Sequence, residues 1–269
     1  MTSDQRPIGI FDSGMGGLTV AHAVSQLLPK ERIIYFGDSA HLPYGDKSAA
    51  TIQAYSIKIC DLLLQKGCKL ILIACNSASA AAFELIKAYV GTKAEVMNVI
   101  EPVVVHTAEQ YHGKKLGLIG TKQTVGSGVY EYQLKLKDPS ITIEGLATPL
   151  LVPMIEEHFY SNQISRAIIK EYLSNDLLKD IEALILGCTH YPLIKNEIED
   201  YYNGRVDVID ASTIVANALK DFLFASDLSS KGRMGENEFL VSDITPSFEK
   251  AAEMFFHAKV PLTKHMLWE

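Results

Sequence analysis

The chain is poor in several features that mark common functional classes, and basic charge is the first. Its 25 Lys and Arg face 32 Asp and Glu, for a formal net charge of −7 and a sequence pI near 5.6. The longest basic cluster is Lys114-Lys115. A phosphate backbone is gripped by clustered Lys and Arg, so a nucleic-acid surface is not expected. Long hydrophobic runs are also missing: none approaches the ~18 residues of a membrane span. The opening residues 1–7 are polar and the apolar run 8–11 is too short for a secretory signal, so a soluble, cytoplasmic protein is expected. Tryptophan occurs once, at Trp268, and reads as an anchor or a frayed end. Cysteine occurs four times, as Cys60, Cys68, Cys75 and Cys188, with no Cys-x-x-Cys pair and no His-rich set beside them. Neither a disulfide scaffold nor a zinc site is expected, and no metal.

What is present is ordinary globular material. At 269 residues, 48% apolar and 21% charged, the chain can bury the core of one large or two ordinary domains. Strand and helix signals alternate throughout. Strands are expected at 8–11, 32–36, 69–74, 95–100, 115–119, 141–146, 183–186, 205–209 and 239–241. Helices are expected at 18–28, 48–65 with Ser48 as the cap, 77–89, 102–111, from Thr124 to about 135, in two short pieces between 152 and 175, at 195–202, at 212–224, and from Pro246 to about 256. The polar stretch 226–238 reads as a surface loop. Such alternation means parallel sheets with helices on both faces. The pattern runs through two rounds, which suggests two similar α/β domains with mostly parallel sheets facing an interdomain cleft.

Two strands share an unusual ending. Ala183-Leu184-Ile185-Leu186 runs into Gly187-Cys188-Thr189-His190-Tyr191-Pro192, and Leu70-Ile71-Leu72-Ile73 runs into Ala74-Cys75-Asn76-Ser77. In open parallel sheets, ligands bind beyond the carboxyl ends of the strands. Two facing sheets could therefore bring both cysteines to one cleft. Cys60, at helical spacing with Ile57 and Leu64, and Cys68, at the start of a strand, read as structural.

The remaining candidates each have a plain reading beside a chemical one. Asp12-Ser13-Gly14-Met15-Gly16-Gly17 lacks dinucleotide spacing and any Gly-Lys-Ser/Thr ending, so a backbone N–H nest for a small carboxylate is preferred to a nucleotide site. Asp12 is a capping residue or an acid of the site. His190 is a satisfied loop or core histidine, or a partner that favours the thiolate of Cys188. Glu156 and Glu157 are more often solvated helix charges than catalytic groups, and His158 reads as a helix-face residue. One Cys with a His suggests a nucleophile. Two Cys on opposite walls suggest instead a thiolate that takes a proton from one face of a carbon acid while a thiol returns one to the other. A cysteine near pKa 8.5 can be brought toward neutrality at ~1.4 kcal/mol per unit.

Several separate blocks carry a family resemblance: Ile10-Phe11-Asp12-Ser13-Gly14-Met15-Gly16-Gly17-Leu18; Gly37-Asp38 through Pro43-Tyr44-Gly45; Ala74-Cys75-Asn76; Gly120-Thr121 with Thr124-Val125 and Ser127; Val152-Pro153 with Glu156; and Gly187-Cys188-Thr189-His190-Tyr191-Pro192. Over nearly its full length the chain resembles the glutamate racemases of the cofactor-independent aspartate/glutamate racemase superfamily. That resemblance implies a discontinuous first domain of roughly 1–98 plus 211–269, carrying Asp12 and Cys75. It implies a second domain of 99–210 carrying Glu156, Cys188 and His190. It implies Cys75 acting on D-glutamate with Asp12 assisting, and Cys188 acting on L-glutamate with Glu156 and His190 beside it. Substrate contacts would come from Ser13, Pro43, Tyr44, Gly45, Asn76, Ser77, Thr121, Thr124 and Thr189. No cofactor is implied, and a homodimer of unspecified geometry is. The product would supply D-glutamate to peptidoglycan synthesis. Ser77 stands where the family usually has Thr, keeping the hydroxyl and losing a methyl. Nine residues precede Ile10, so activation by a cell-wall precursor is not expected. Rival readings are an aspartate or other amino-acid racemase of the superfamily, a Cys188–His190 thiol hydrolase, and a non-catalytic amino-acid binding module.

Overall fold

The structure is a computed structural model that describes residues 4–232 and 235–267. Trp268 lies outside the described residues. The chain opens with β1 (Ile8–Asp12), α1 (Leu18–Leu27), β2 (Ile33–Gly37), α2 (Ala49–Gln65), β3 (Leu70–Ile73), α3 (Asn76–Val90) and β4 (Glu95–Asn98). It continues with α4 (Ile100–Gln110), β5 (Lys115–Gly120), α5 (Lys122–Gly126), α6 (Val129–Lys137), β6 (Thr142–Ala147), α7 (Leu151–Glu156), α8 (Gln163–Leu173), β7 (Ala183–Gly187), α9 (Lys195–Tyr202) and β8 (Asp207–Ile209). It closes with α10 (Ala211–Ala225), β9 (Glu238–Val241), α11 (Pro246–Phe256) and β10 (Leu262–Lys264).

These strands form two wholly parallel sheets, ordered β10-β9-β2-β1-β3-β4 and β6-β5-β7-β8. The first takes its strands from both ends of the chain and the second from the middle. Every residue of β1, β2, β3 and β7 is buried, which is why these segments read as unbroken apolar runs rather than alternating ones. The order of connection reverses beside β1 in the first sheet and beside β5 in the second. β2 and β3 lie on opposite sides of β1, and β6 and β7 lie on opposite sides of β5. Crevices open at such reversals, beyond the carboxyl ends of the flanking strands. Register makes the crevices specific. Phe11 pairs with Ile73, so Asp12 and Ala74-Cys75 emerge side by side; Gly120 pairs with Gly187, so Thr121 and Cys188 do the same.

One buried apolar cluster contains Ile8 and Leu72 of the first sheet, Val103 of α4, and Leu118 and Ile185 of the second, so the two sheets share a core. At the opposite edge from the crevices, Lys69 and Glu31 form a buried ion pair at 2.6 Å. Lys69 Nζ also donates to the carbonyls of Asp4 and Leu228, and Glu31 Oε1 accepts from Ser230 N. This knot ties the polar stretch after α10 to the base of the first sheet.

Three sequence expectations need correction. The single helix expected from Thr124 onward is two, because Ser127 Oγ donates to Thr124 O and accepts from Val129 N while Gly128 turns through φ +67°. The short strand β10 was not anticipated: its three residues are half-buried or exposed at a sheet edge and carry no alternating pattern. His158 follows α7 at φ +54° rather than sitting on a helix face.

Candidate active site

Cys75 is the N-cap of α3, and its Sγ accepts from Ala78 N at 3.4 Å. Its thiol reaches Ser13 Oγ at 3.7 Å. A helix N-terminus favours a thiolate, yet the site overrides that pull. Burial first, and then the neighbouring Asp12 charge, push the Cys75 thiol up to about 12, against the opposing Ala78 and Ser13 hydrogen bonds.

Asp12 ends β1, wholly buried, with Oδ2 accepting from Gly14 N at 3.0 Å. Burial raises its pKa, opposed by the charge of His190 and by the amides of Gly17, Gly14 and Ser13. The glycine-rich loop is thus a nest, as its composition suggests, but the carboxylate its amides serve is Asp12 itself. Asp12 Oδ1 is buried without a hydrogen-bond partner. Tyr35 Oη donates to Gly14 O at 2.9 Å and holds this loop from below.

The segment after β2 is held by Asp38, which was not singled out as a site residue. Its buried carboxylate accepts from Tyr44 Oη at 2.7 Å and Ser242 Oγ at 2.8 Å, and lies 2.8 Å from His41 Nδ1. Pro43, Tyr44 and Gly45 are thereby set against the second half of the molecule.

On that side, β7 delivers Gly187, Cys188, Thr189 and His190. Cys188 Sγ lies 3.7 Å from His190 Nδ1, and His190 Nε2 lies 2.9 Å from Glu156 Oε1 at the end of α7. The ring edge packs on Phe255 of α11 at 5.1 Å between centroids. Burial alone would discharge the imidazole. The hydrogen bonds to Cys188 and Glu156 outweigh it and raise the pKa of His190 well above its ordinary value. His190 is therefore held between sulfur and carboxylate, an arrangement that favours its charged form.

The two halves meet closely. A Cβ on Gly16 would press on Thr189 Oγ1 and lie 2.5 Å from His190 Nδ1, and one on Gly45 would lie 2.6 Å from Thr121 Cβ. Thr19 Oγ1 donates to Thr189 O at 3.2 Å, and Ser77 Oγ and Thr121 Oγ1 are 2.8 Å apart. Between the halves lies a cavity of about 150 Å³ whose wall includes Cys75 and Cys188. That is below the ~300–1,000 Å³ of sites for drug-sized ligands and suits a small metabolite. A larger groove of about 810 Å³, along β4 between α3, α4 and α10, contains neither thiol.

Of the residues picked from sequence, Ser13, Pro43, Tyr44, Gly45, Cys75, Asn76, Ser77, Thr121, Glu156, Cys188, Thr189 and His190 line the cavity. Asp12 and Thr124 do not. Asp12 lies beneath the wall, and Thr124 Oγ1 stands behind it, 3.1 Å from Thr121 Oγ1 and 3.4 Å from Ser77 Oγ. Lining residues that sequence reasoning missed include Leu42, Lys122 and Thr148. Thr148 follows β6 and so obeys the same strand-end rule as the cysteines. Leu42 and Lys122 carry no comparable signal. Lys122 pairs with Asp46 at 3.1 Å across the mouth, both exposed. Among the described residues, no group of three His, Cys, Asp or Glu is placed to hold a metal ion.

Fold and site together define a two-sheet α/β protein with a thiol at each facing strand end and an acid or imidazole beside each. Residues 17–219 match the Asp/Glu/Hydantoin racemase family, and the chain belongs to that family. It is 36% identical over 256 residues to the glutamate racemase of Chlorobaculum parvum, covering 95% of this chain and 94% of that one. Among solved structures, glutamate racemase from Francisella tularensis subsp. tularensis SCHU S4 in complex with D-glutamate superposes with a TM-score of 0.91 at 39% identity, covering 98% of both chains. Glutamate racemase from Thermus thermophilus in complex with β-chloro-D-alanine gives 0.87 at 35% identity, covering 99% of both chains.

Proposed function

We propose that this chain is a glutamate racemase that inverts Cα by proton transfer between Cys75 and Cys188. The observation that carries the reading is the pair of thiols on one small cavity, delivered by corresponding strand ends of two sheets in a racemase fold. With L-glutamate bound, the Cys188 thiolate takes the α-proton and the Cys75 thiol gives its proton to the opposite face of the carbanion. The thiols exchange roles, and the reverse reaction runs by the same steps. A Cys75 thiol pushed up to about 12 is the proton donor of this direction in the free enzyme. In the other direction Asp12, beneath Cys75, assists removal of the proton of D-glutamate. His190, oriented by Glu156, stabilises negative charge at Cys188.

Ser13, Asn76, Ser77, Thr121 and Thr189, with the Pro43-Tyr44-Gly45 backbone, supply hydroxyls and amides suited to two carboxylates. Thr124 supports Ser77 and Thr121 from behind. The domains of this reading are roughly 1–98 plus 211–269, and 99–210, consistent with the strand content of the two sheets. It also holds that the enzyme is a cytoplasmic homodimer and that its D-glutamate serves peptidoglycan synthesis.

One feature favours a second reading: Cys188, His190 and Glu156 form a relay in which an imidazole joins thiol to carboxylate, as in thiol hydrolases. Cys75 across the cavity has no place in that chemistry. Turnover of L-glutamate and L-aspartate by the purified enzyme, read by chiral chromatography, tests the proposal. D-glutamate should accumulate toward a racemic mixture. Absence of D-glutamate, or a clear preference for aspartate, overturns the assignment.

A further inference from the structure

We propose that Tyr130 is a positioning residue that fixes the side-chain amide of Asn76, so that its N–H₂ group faces the cavity and receives a substrate carboxylate. The inference rests on reading the cavity as the glutamate site.

Tyr130 lies in the first turn of α6 and is 1% exposed. Its hydroxyl donates to Asn76 Oδ1 at 2.8 Å. Asn76 is the first residue of α3, 3% exposed, and lines the cavity. With Oδ1 taken, its Nδ2 is buried and has no hydrogen-bond partner. A buried amide donor left unpaired costs about 1–3 kcal/mol, so such an atom on a cavity wall points to a ligand that completes it. The ligand must accept, and a carboxylate does so with a charge-assisted bond.

An asparagine amide presents either its oxygen or its nitrogen to a given side, and its partners decide which. Turned over, Asn76 would set Oδ1 against the substrate carboxylate, acceptor against acceptor. The donating hydroxyl of Tyr130 selects the productive orientation before substrate arrives.

The contact also crosses between the halves. Asn76 follows β3 of the first sheet, and Tyr130 lies between β5 and β6 of the second. Tyr130 reaches Asn76 because the helix expected after Thr124 breaks at Ser127-Gly128 and restarts at Val129. The carboxylate donor is therefore set only when the two halves are docked.

The test uses Tyr130→Phe, which keeps the ring and removes only the hydroxyl, with Asn76→Ala, Asn76→Asp and the Tyr130→Phe/Asn76→Ala double variant. Values of kcat and KM for D-glutamate are measured beside melting temperature. Tyr130→Phe should raise KM about tenfold, in the range of one charge-assisted hydrogen bond, with the effect on KM rather than kcat. The double variant should be no worse than Asn76→Ala. Asn76→Asp keeps the Tyr130 contact but faces the substrate with an anion, so its KM should exceed that of Asn76→Ala and decide the matter if Tyr130→Phe fails to fold. A wild-type enzyme that racemises glutamate, with KM unchanged in folded Tyr130→Phe, overturns the inference alone. Multiplying single effects, or an Asn76→Asp KM no higher than that of Asn76→Ala, overturn it as well. A wild type that does not racemise glutamate overturns the underlying reading and this inference with it.

Discussion

Glu156 Oε1 and His190 Nε2 lie 2.9 Å apart, which leaves the other ring nitrogen of His190 for Cys188 at 3.7 Å. Together with Cys188, a residue at the end of one short helix thus favours the charged form of a group on a different strand end. The link has a thermodynamic signature. His190 titrates at a raised value in the folded protein and near 6.5 when unfolded. Its contribution to stability is therefore fully present below about pH 6.5 and is lost as pH rises through the folded value. Glu156→Gln keeps the shape and removes the charge. Melting curves from pH 5.5 to 9 should show the variant below wild type, with the gap widest at low pH and closing as pH rises. A gap that widens with pH contradicts the assignment.

Cys75 should behave as a weakly acidic thiol in the free enzyme. In a Cys60→Ala/Cys68→Ala/Cys188→Ala background, which leaves Cys75 as the one thiol, its alkylation by iodoacetamide should be slow at pH 7.5 and rise about tenfold per pH unit through pH 10. That follows from a thiol pushed up to about 12 by burial and by the Asp12 charge. Asp12→Asn should raise the rate at each pH. A rate that levels off near pH 8 contradicts the picture of Cys75 as the resting proton donor.

Docking of the halves demands glycine at position 16. Gly16→Ala would drive Cβ into Thr189 and His190, and displacing reacting groups by about 1 Å can cost 10²-fold in rate. A loss of that order in kcat/KM is expected. Gly126→Ala is the control, since its Cβ would meet nothing within 4 Å. Equal losses in the two variants would remove the argument from close approach.

The Lys69–Glu31 pair should be a stability element distant from the chemistry. Both side chains are buried, and removing one partner leaves an uncompensated charge, at about 3–5 kcal/mol. Urea unfolding of Lys69→Met and Glu31→Leu should show losses of this size, with the double variant recovering part. Losses that simply add would mean the residues act independently.

How much of this was legible in the sequence differs from residue to residue. Cys75 and Cys188 announced themselves because a parallel strand buried on both faces leaves an apolar run that ends at its crevice. The alternation of elements likewise gave two parallel sheets, since helical and strand periods are local properties. Strand order is not local, and so the reversals beside β1 and β5 became visible only in three dimensions. Asp12 was legible as an acid at a strand end, but not as the carboxylate its own glycine loop enfolds. The Tyr130 contact was hidden for two reasons. The break at Gly128 looked like continuing helix, and a buried tyrosine gives no sign of which asparagine it will meet. Lys122 and Leu42 reach the cavity because loops carry them there, and loop paths follow no period.

The proton ledger of a single turnover tests the two-thiol reading most directly. Purified enzyme is given L-glutamate in D₂O, and the α-hydrogen of each enantiomer is followed by NMR and chiral separation at low conversion. Deuterium should enter the D-glutamate formed, delivered by the Cys75 side, while remaining L-glutamate keeps its protium; Cys75→Ala and Cys188→Ala should each abolish racemisation. Deuterium entering L-glutamate as fast as D-glutamate appears, or full activity in both alanine variants, would contradict proton transfer between two opposed cysteines.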